Sequence, residues 1–407
     1  MQKRRRARPL RAMLADSPLL LVAALFVAAA AGWAAAHFWP TARHAHSPRQ
    51  QLSDDYFRGL RFLLNEEPDK ALEVFLRMVD VDNETVETHF ALGSLYRRRG
   101  EVDRAIRIHE NIVARPALNE EHRVHAMFAL AEDYFRAGLF DRAERLFQQL
   151  AAGGSQRAQA LRYLLRIYEQ QRDWEQAIAI HGQLVRIAPP EQPTAIAHYH
   201  CELAERDRER RDFDGARTHL HRVREVQRNF GRGALIRADV ALDMNQPELA
   251  MLLCQRVVEL HPRLLVLALP RVMRALRVDG SDELARRFSA WIRPEPSARA
   301  ELAYAAIVAG LEQEAFVREC LPNLLDEDPS LSEIARALAG DPAHMTSEQL
   351  SALASALGRI LRRTQRYRCV ECGFASAAHF WQCPGCRSWD AFAPVALLDV
   401  TPGVNRR

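Results

Sequence analysis

The sequence predicts an all-α chain: a solenoid of stacked helical pairs, with one N-terminal transmembrane helix and a small C-terminal metal-binding module. Three observations predict it. An uncharged apolar run fills Leu19 to Trp39, an alanine recurs every 34 to 39 residues from Ala71 to Ala285, and two Cys-x-x-Cys pairs stand close together near the C-terminus.

The apolar run, at about 1.5 Å per residue, matches the roughly 30 Å of a bilayer core. Trp33, Phe38 and Trp39 stand where interfacial aromatic residues gather. Residues 1–18 ahead of it form a basic segment carrying Lys3, Arg4, Arg5, Arg6, Arg8 and Arg11. A cleaved secretory signal is the rival reading, with Ala34-Ala35-Ala36 as its processing site; a buried soluble helix is the third. Two signals oppose each other over orientation. The basic start predicts an exported body, whereas four clustered thiols and three single ones suit a reducing compartment. Initiation at Met13 would remove the basic arm, and the body is expected on the cytoplasmic side.

Residues 40–52, with Pro40 and Pro48, read as a linker. The repeats follow over 53–293. In His89 to Pro116, the residues His89, Leu92, Gly93, Tyr96, Ala105 and His109 fit the spacing W-x2-L-G-x2-Y then A-x3-F of a tetratricopeptide helix-turn-helix. The second-helix alanine recurs as Ala71, Ala105, Ala143, Ala177, Ala216, Ala250 and Ala285. Its first-helix partners are Phe62, Tyr96, Tyr134, Tyr168, Asp207, Ala241 and Leu276, and the third seam residues are Phe75, His109, Phe147, His181, Leu220, Cys254 and Ser289. The two longer intervals place loops near Arg115–Glu121 and Pro189–Thr194. Over 294–364 the pattern stays helical, notably Ala298–Ala309 and Ser347–Leu361, but the register blurs as expected of terminal repeats. Thr346 and Gln349 suit a capping box.

Fifty-six basic against 52 acidic residues leave a net charge of +4, so no nucleic-acid surface is expected. A stacked array offers a face lined by first helices. The repeat register projects Arg97, Arg98, Arg136, Arg162 and Arg166 towards it, as a basic groove for an acidic or carboxylate-ended segment of another protein; a plain solvated surface is the alternative.

Cys369-x2-Cys372 and Cys383-x2-Cys386 predict two knuckles completing tetrahedral S4 coordination of one metal ion, zinc or iron. Gly373 and Gly385 are expected to relieve the tight turns. Four cysteines close the shell, which leaves His379 outside it. A closed shell is a structural site, and a module running over 365–407 is too short to fold without it. Phe374, Phe380, Trp381 and Trp389 are expected around the metal and against the last repeats. Redox iron would make the module an electron carrier.

No phosphate-binding glycine loop, nucleophile elbow or H-E-x-x-H pair occurs in the sequence, and no enzyme is expected. His200 and Cys201 sit at core spacing on a repeat helix and read as packing residues.

The segments SDDYFRGLRFLLNEEPDKALEVF at 53–75, GEVDRAIRIHE at 100–110, IAHYHCELA at 196–204, and YRCVECGF with WQCPGCRSW in 367–389 resemble the lipopolysaccharide assembly protein B family. The likeness runs from Ser53 to Trp389; the basic start departs from the family's short anchor. It implies an inner-membrane protein whose repeat body faces the cytoplasm and whose C-terminal module is rubredoxin-like, with Cys369, Cys372, Cys383 and Cys386 as ligands. It also implies an adaptor bringing the lipid A pathway deacetylase to a membrane-bound AAA protease, alongside other lipopolysaccharide assembly proteins. A homo-oligomer is compatible with this. A periplasm-facing assembly scaffold is the alternative.

Overall fold

The computed structural model describes residues 18–38, 86–116, 118–188, 192–292, 296–327, 345–362 and 365–395, with isolated positions between. The basic segment, the linker, Ala71, Phe75 and Asp341-Pro342 lie outside the described residues. The chain divides into two compact units, Met1–Ala137 and Gly138–Arg407.

The first unit contains α1 (Pro18–Phe38), α2 (Val86–Arg98), α3 (Val102–Val113) and α4 (Glu120–Arg136). No helix is long and apolar enough to cross a membrane among the described residues. The 21 residues of α1 carry no charge, but their side chains are described only from Val22 to Ala34, short of the roughly 20 residues a span needs. Leu25, Phe26 and Val27 are exposed there.

Helices α2 and α3 meet at the predicted seam, where Leu92, Tyr96, Ala105 and His109 are buried. Gly93 is needed because a Cβ would come within 2.5 Å of the His109 ring. His109 Nδ1 bonds Asp133 on α4, which also accepts from Arg97 Nη1 at 3.0 Å. An imidazole therefore stands where the repeat pattern calls for phenylalanine, and α4 supplies its hydrogen-bond partner.

In the second unit α5 (Phe140–Ala151), α6 (Arg157–Gln171), α7 (Trp174–Val185), α8 (Ala195–Glu209), α9 (Phe213–Val226), α10 (Gly231–Asp243), α11 (Pro247–Leu260) and α12 (Leu265–Asp279) pack each against the next in line. Helices α13 (Asp282–Ile292), α14 (Pro296–Ala309), α15 (Ala315–Glu327) and α16 (Ser347–Arg362) continue towards the C-terminus. Ala143, Ala177, Ala216 and Ala250 are fully buried, as are Phe147 and Cys254 at the third seam position. The turn before each second helix takes a left-handed residue five positions ahead of its alanine: Gly138, Arg172, Arg211, Asn245, Gly280.

At the last counted repeat the register moves. Ala285 and Ser289 are exposed, and Leu284 and Phe288 are buried in their place. One position rotates a helix face by about 100°, and that rotation buries a phenylalanine where the expected register would bury a serine. Ala285→Lys is therefore expected to change the unfolding free energy by less than about 0.5 kcal/mol in urea titration; a loss above about 2 kcal/mol would restore the spacing-based register. The capping box on α16 forms in both directions, with Thr346 N–H donating to Gln349 Oε1 at 2.8 Å and Gln349 N–H to Thr346 Oγ1 at 3.3 Å.

After the helices a three-stranded antiparallel sheet, β2-β1-β3, is built from β1 (Tyr367–Cys369), β2 (Ala375–Ser376) and β3 (Phe392–Pro394). It carries the cysteines.

Candidate metal centre

The two knuckles repeat one backbone design. Gly373 N–H donates to Cys369 O at 2.9 Å and Arg387 N–H to Cys383 O at 2.8 Å; Cys369 N–H reaches Phe374 O and Cys383 N–H reaches Ser388 O. The residue after each second cysteine is left-handed, Gly373 with φ +75° and Arg387 with φ +62°. Gly385 therefore has a different role from the one its position suggests. It is not left-handed, and a Cβ there would meet Cys372 Sγ and Phe374 Cβ at 3.4 Å, an ordinary contact, so it packs between the knuckles without relieving a turn.

The four sulfurs lie within 4.8 Å of one another, Cys369 and Cys386 at 3.7 Å and Cys372 and Cys383 at 3.6 Å. Bonds of about 2.3 Å to a tetrahedral ion place sulfurs about 3.8 Å apart, so these residues fit a single metal ion. Cys369 and Cys383 are buried while Cys372 and Cys386 face solvent. Ser388 Oγ lies 3.3 Å from Cys386 Sγ, and the serine side chain and backbone hold that thiol down to about 6. His379 stays outside the cluster and packs edge-on against Trp381 and Tyr367.

The ribbon shares a core with the later helices, as expected, and also docks where the sequence did not point. Trp389 is buried against α7 and α8, near the middle of the chain, instead of against the last repeats. Its ring stacks on His198 at 4.4 Å and meets Tyr199 and Trp174 edge-on, while the Trp389 backbone N–H donates to Gln192 Oε1 at 3.2 Å. Phe374 and Phe380 remain largely exposed. Further on, Tyr304 on α14 donates to Val395 O and Arg366 to Val308 O, both at 2.6 Å.

Arg232 on α10 lies at the heart of this contact with only 2% of its side chain exposed. It donates to Glu202 at 2.7 Å and Glu205 at 2.8 Å, and its guanidinium lies over the rings of Trp381 and Trp389 at 5.4 and 6.0 Å. It also reaches His198 Nδ1 at 3.3 Å, which leaves the His198 Nε2–H to donate to Asp390 at 2.9 Å. A cation placed between two carboxylates and two indoles is well compensated for its burial.

Burial lowers the imidazoles of His198 and His379, the latter to about 4, though Asp390 opposes the shift in both. The docked state thus favours neutral rings. Its advantage is complete above the ordinary histidine pKa of about 6.5 and is lost as the pH falls below that, because the undocked chain takes up protons that the docked one refuses. Tryptophan fluorescence should report loosening between about pH 6.5 and about pH 5 while bound metal, assayed in parallel, is still retained. A flat signal over that range contradicts the linkage.

The other predicted residues fall in both units. Arg97, Arg98 and Arg136 belong to the first unit and Arg162 and Arg166 to the second. Arg97 is committed internally, to Asp133, Glu132 at 3.1 Å and the Ala129 carbonyl. Arg166 lies over the Tyr163 ring, and Arg98 and Arg136 are exposed. Cys201 is fully buried, and burial raises its thiol and also those of Cys254, to about 12, and Cys320. His200 pairs with His219 Nδ1 at 3.2 Å. The docking residues His198 and Arg232 were not singled out in the sequence; an arginine three and four positions ahead of the buried Leu235 and Ile236 is the signal that could have found one of them.

Comparison with known proteins gives three domain matches: a rubredoxin metal binding domain over residues 367–394, and tetratricopeptide repeats over 88–123 and 128–193. Lipopolysaccharide assembly protein B of Escherichia coli is 33% identical over 389 residues, covering 93% of this chain and 99% of that protein. The protein of the same name from Haemophilus influenzae is 30% identical over 385 residues, covering 89% and 96%. Among solved structures, the C-terminal part of a tetratricopeptide repeat-containing protein from Cytophaga hutchinsonii covers 70% of this chain and 99% of its own at 13% identity and a TM-score of 0.35.

Proposed function

The chain belongs to the lipopolysaccharide assembly protein B family, and we propose that it is a non-catalytic, membrane-anchored adaptor that regulates lipopolysaccharide synthesis. In this reading α1 is a single inner-membrane span, the repeat body faces the cytoplasm, and the adaptor delivers the lipid A pathway deacetylase to a membrane AAA protease. Tethering raises the local concentration of a soluble client beside a membrane partner, which needs binding surfaces and no reacting groups. The observation that carries the reading is identity to named relatives along nearly the whole length, joined to a metal ribbon whose closed shell suits structure instead of turnover.

The test is the half-life of the deacetylase in cells lacking the chromosomal gene. The full chain should shorten it, and a form lacking residues 1–39 should not. A half-life indifferent to the full chain overturns the adaptor mechanism. A reporter fused after Arg407 that is active only in the periplasm overturns the orientation.

A further inference from the structure

Helices α9, α10 and α11 enclose two confluent cavities, of about 270 and about 60 Å³, that share Leu220, Arg224, Arg237 and Leu253 as lining. Arginine dominates their polar lining, with Arg217, Arg228 and Arg256 beside the shared pair, and no carboxylate lines either cavity. Among the cavity arginines Arg217 has an acid partner, Asp214 at 3.6 Å, and two further acids of these helices pair with arginines outside the lining. Glu225 pairs with Arg222 at 2.9 Å and Asp243 with Arg208 and Arg274, each at 2.7 Å.

Arg224, Arg228, Arg237 and Arg256 make no ion pair among the described residues. Arg237 is half-buried, and burial together with the like charge of Arg224 disfavours its cation. Apolar groups interleave with the cations: Val240 and Leu253 line the recess, and Leu249 and Leu260 are exposed at its edge. Gly233 lets α10 pack closely on α9 beside the recess, since a Cβ there would come within 2.8 Å of Val223.

We propose that this groove docks an acidic, leucine-containing segment of a protein partner, a carboxylate seating between Arg224 and Arg237 and an apolar side chain entering the recess beside Leu249. Uncompensated guanidinium groups match carboxylates in geometry and charge. A recess of side-chain size suits a peptide; a flat anionic bilayer could not reach into it. None of Arg97, Arg98, Arg136, Arg162 and Arg166 lines the groove. The proposal rests on the adaptor reading for the source of the segment, and its binding chemistry can be tested without it.

The probe is a fluorescent peptide alternating glutamate and leucine, titrated against the full chain in detergent. Arg224→Glu, at an exposed position, should weaken binding about tenfold or more, and Leu249→Ser should weaken it with helical content and metal content unchanged. Replacing glutamate by glutamine in the peptide, or leucine by serine, should have the same effect. Binding indifferent to Arg224→Glu and to Leu249→Ser overturns the groove. So does full displacement of the peptide by anionic phospholipid vesicles, which would assign the site to lipid. If the variants lose the peptide while the deacetylase half-life is unchanged, the groove stands and its partner is another protein. If the half-life ignores the wild-type chain too, it is the adaptor reading that fails.

Discussion

Removing the metal, by chelation or by Cys383→Ser, is expected to unfold residues 367–394 and release them from α7, α8 and α10 while the repeat helices persist. Structural zinc sites contribute apparent binding free energies of about 10–16 kcal/mol, and a segment this small has no core to replace that. Its sheet is three short strands, and its buried aromatic residues face the repeats as much as each other. Far-UV circular dichroism should change little, because helix dominates it. Tryptophan emission should shift to the red as Trp381 and Trp389 meet water, and restored metal should reverse the shift for the wild type and not for Cys383→Ser. Unchanged emission after complete metal loss would mean that the ribbon holds its place without the ion.

Arg232→Ala should cost about 3–5 kcal/mol in urea or thermal unfolding, with the metal still bound. The loss goes beyond the contacts removed. Glu202 and Glu205 would face each other across a vacated site, His198 would lose the donor that fixes its tautomer, and Trp381 and Trp389 would lose their cation. Adding Glu202→Gln and Glu205→Gln to Arg232→Ala should recover part of the loss, because neutral amides need no counter-charge. A cost below about 1 kcal/mol would reduce Arg232 to a bystander.

The helical repeats could be read from the sequence because each seam depends on residues a fixed distance apart. Tyr96 with Ala105 and Tyr134 or Tyr168 with the alanine nine positions on obey that spacing and are buried. It failed at Ala285, where Phe288 offered more apolar area than Ser289 and the helix turned to use it. The metal ligands were equally legible, since a knuckle is a local turn.

The docking of the ribbon was not. His198 and Asp390 stand 192 positions apart, and no periodicity connects them. Arg97 shows the same limit from the other side. Its register pointed it outward, yet Asp133, 36 positions along, accepts its hydrogen bond within the unit.

The central claim is that the metal ion locks the ribbon onto the middle repeats of the second unit and so stiffens them. Hydrogen–deuterium exchange on the full-length chain, with and without bound metal, tests it most directly. The account predicts that metal removal accelerates exchange in residues 367–394 and, together with them, in α7, α8 and α10 around Trp174, His198 and Arg232. Faster exchange confined to residues 367–394, with those three helices as protected as before, would contradict it.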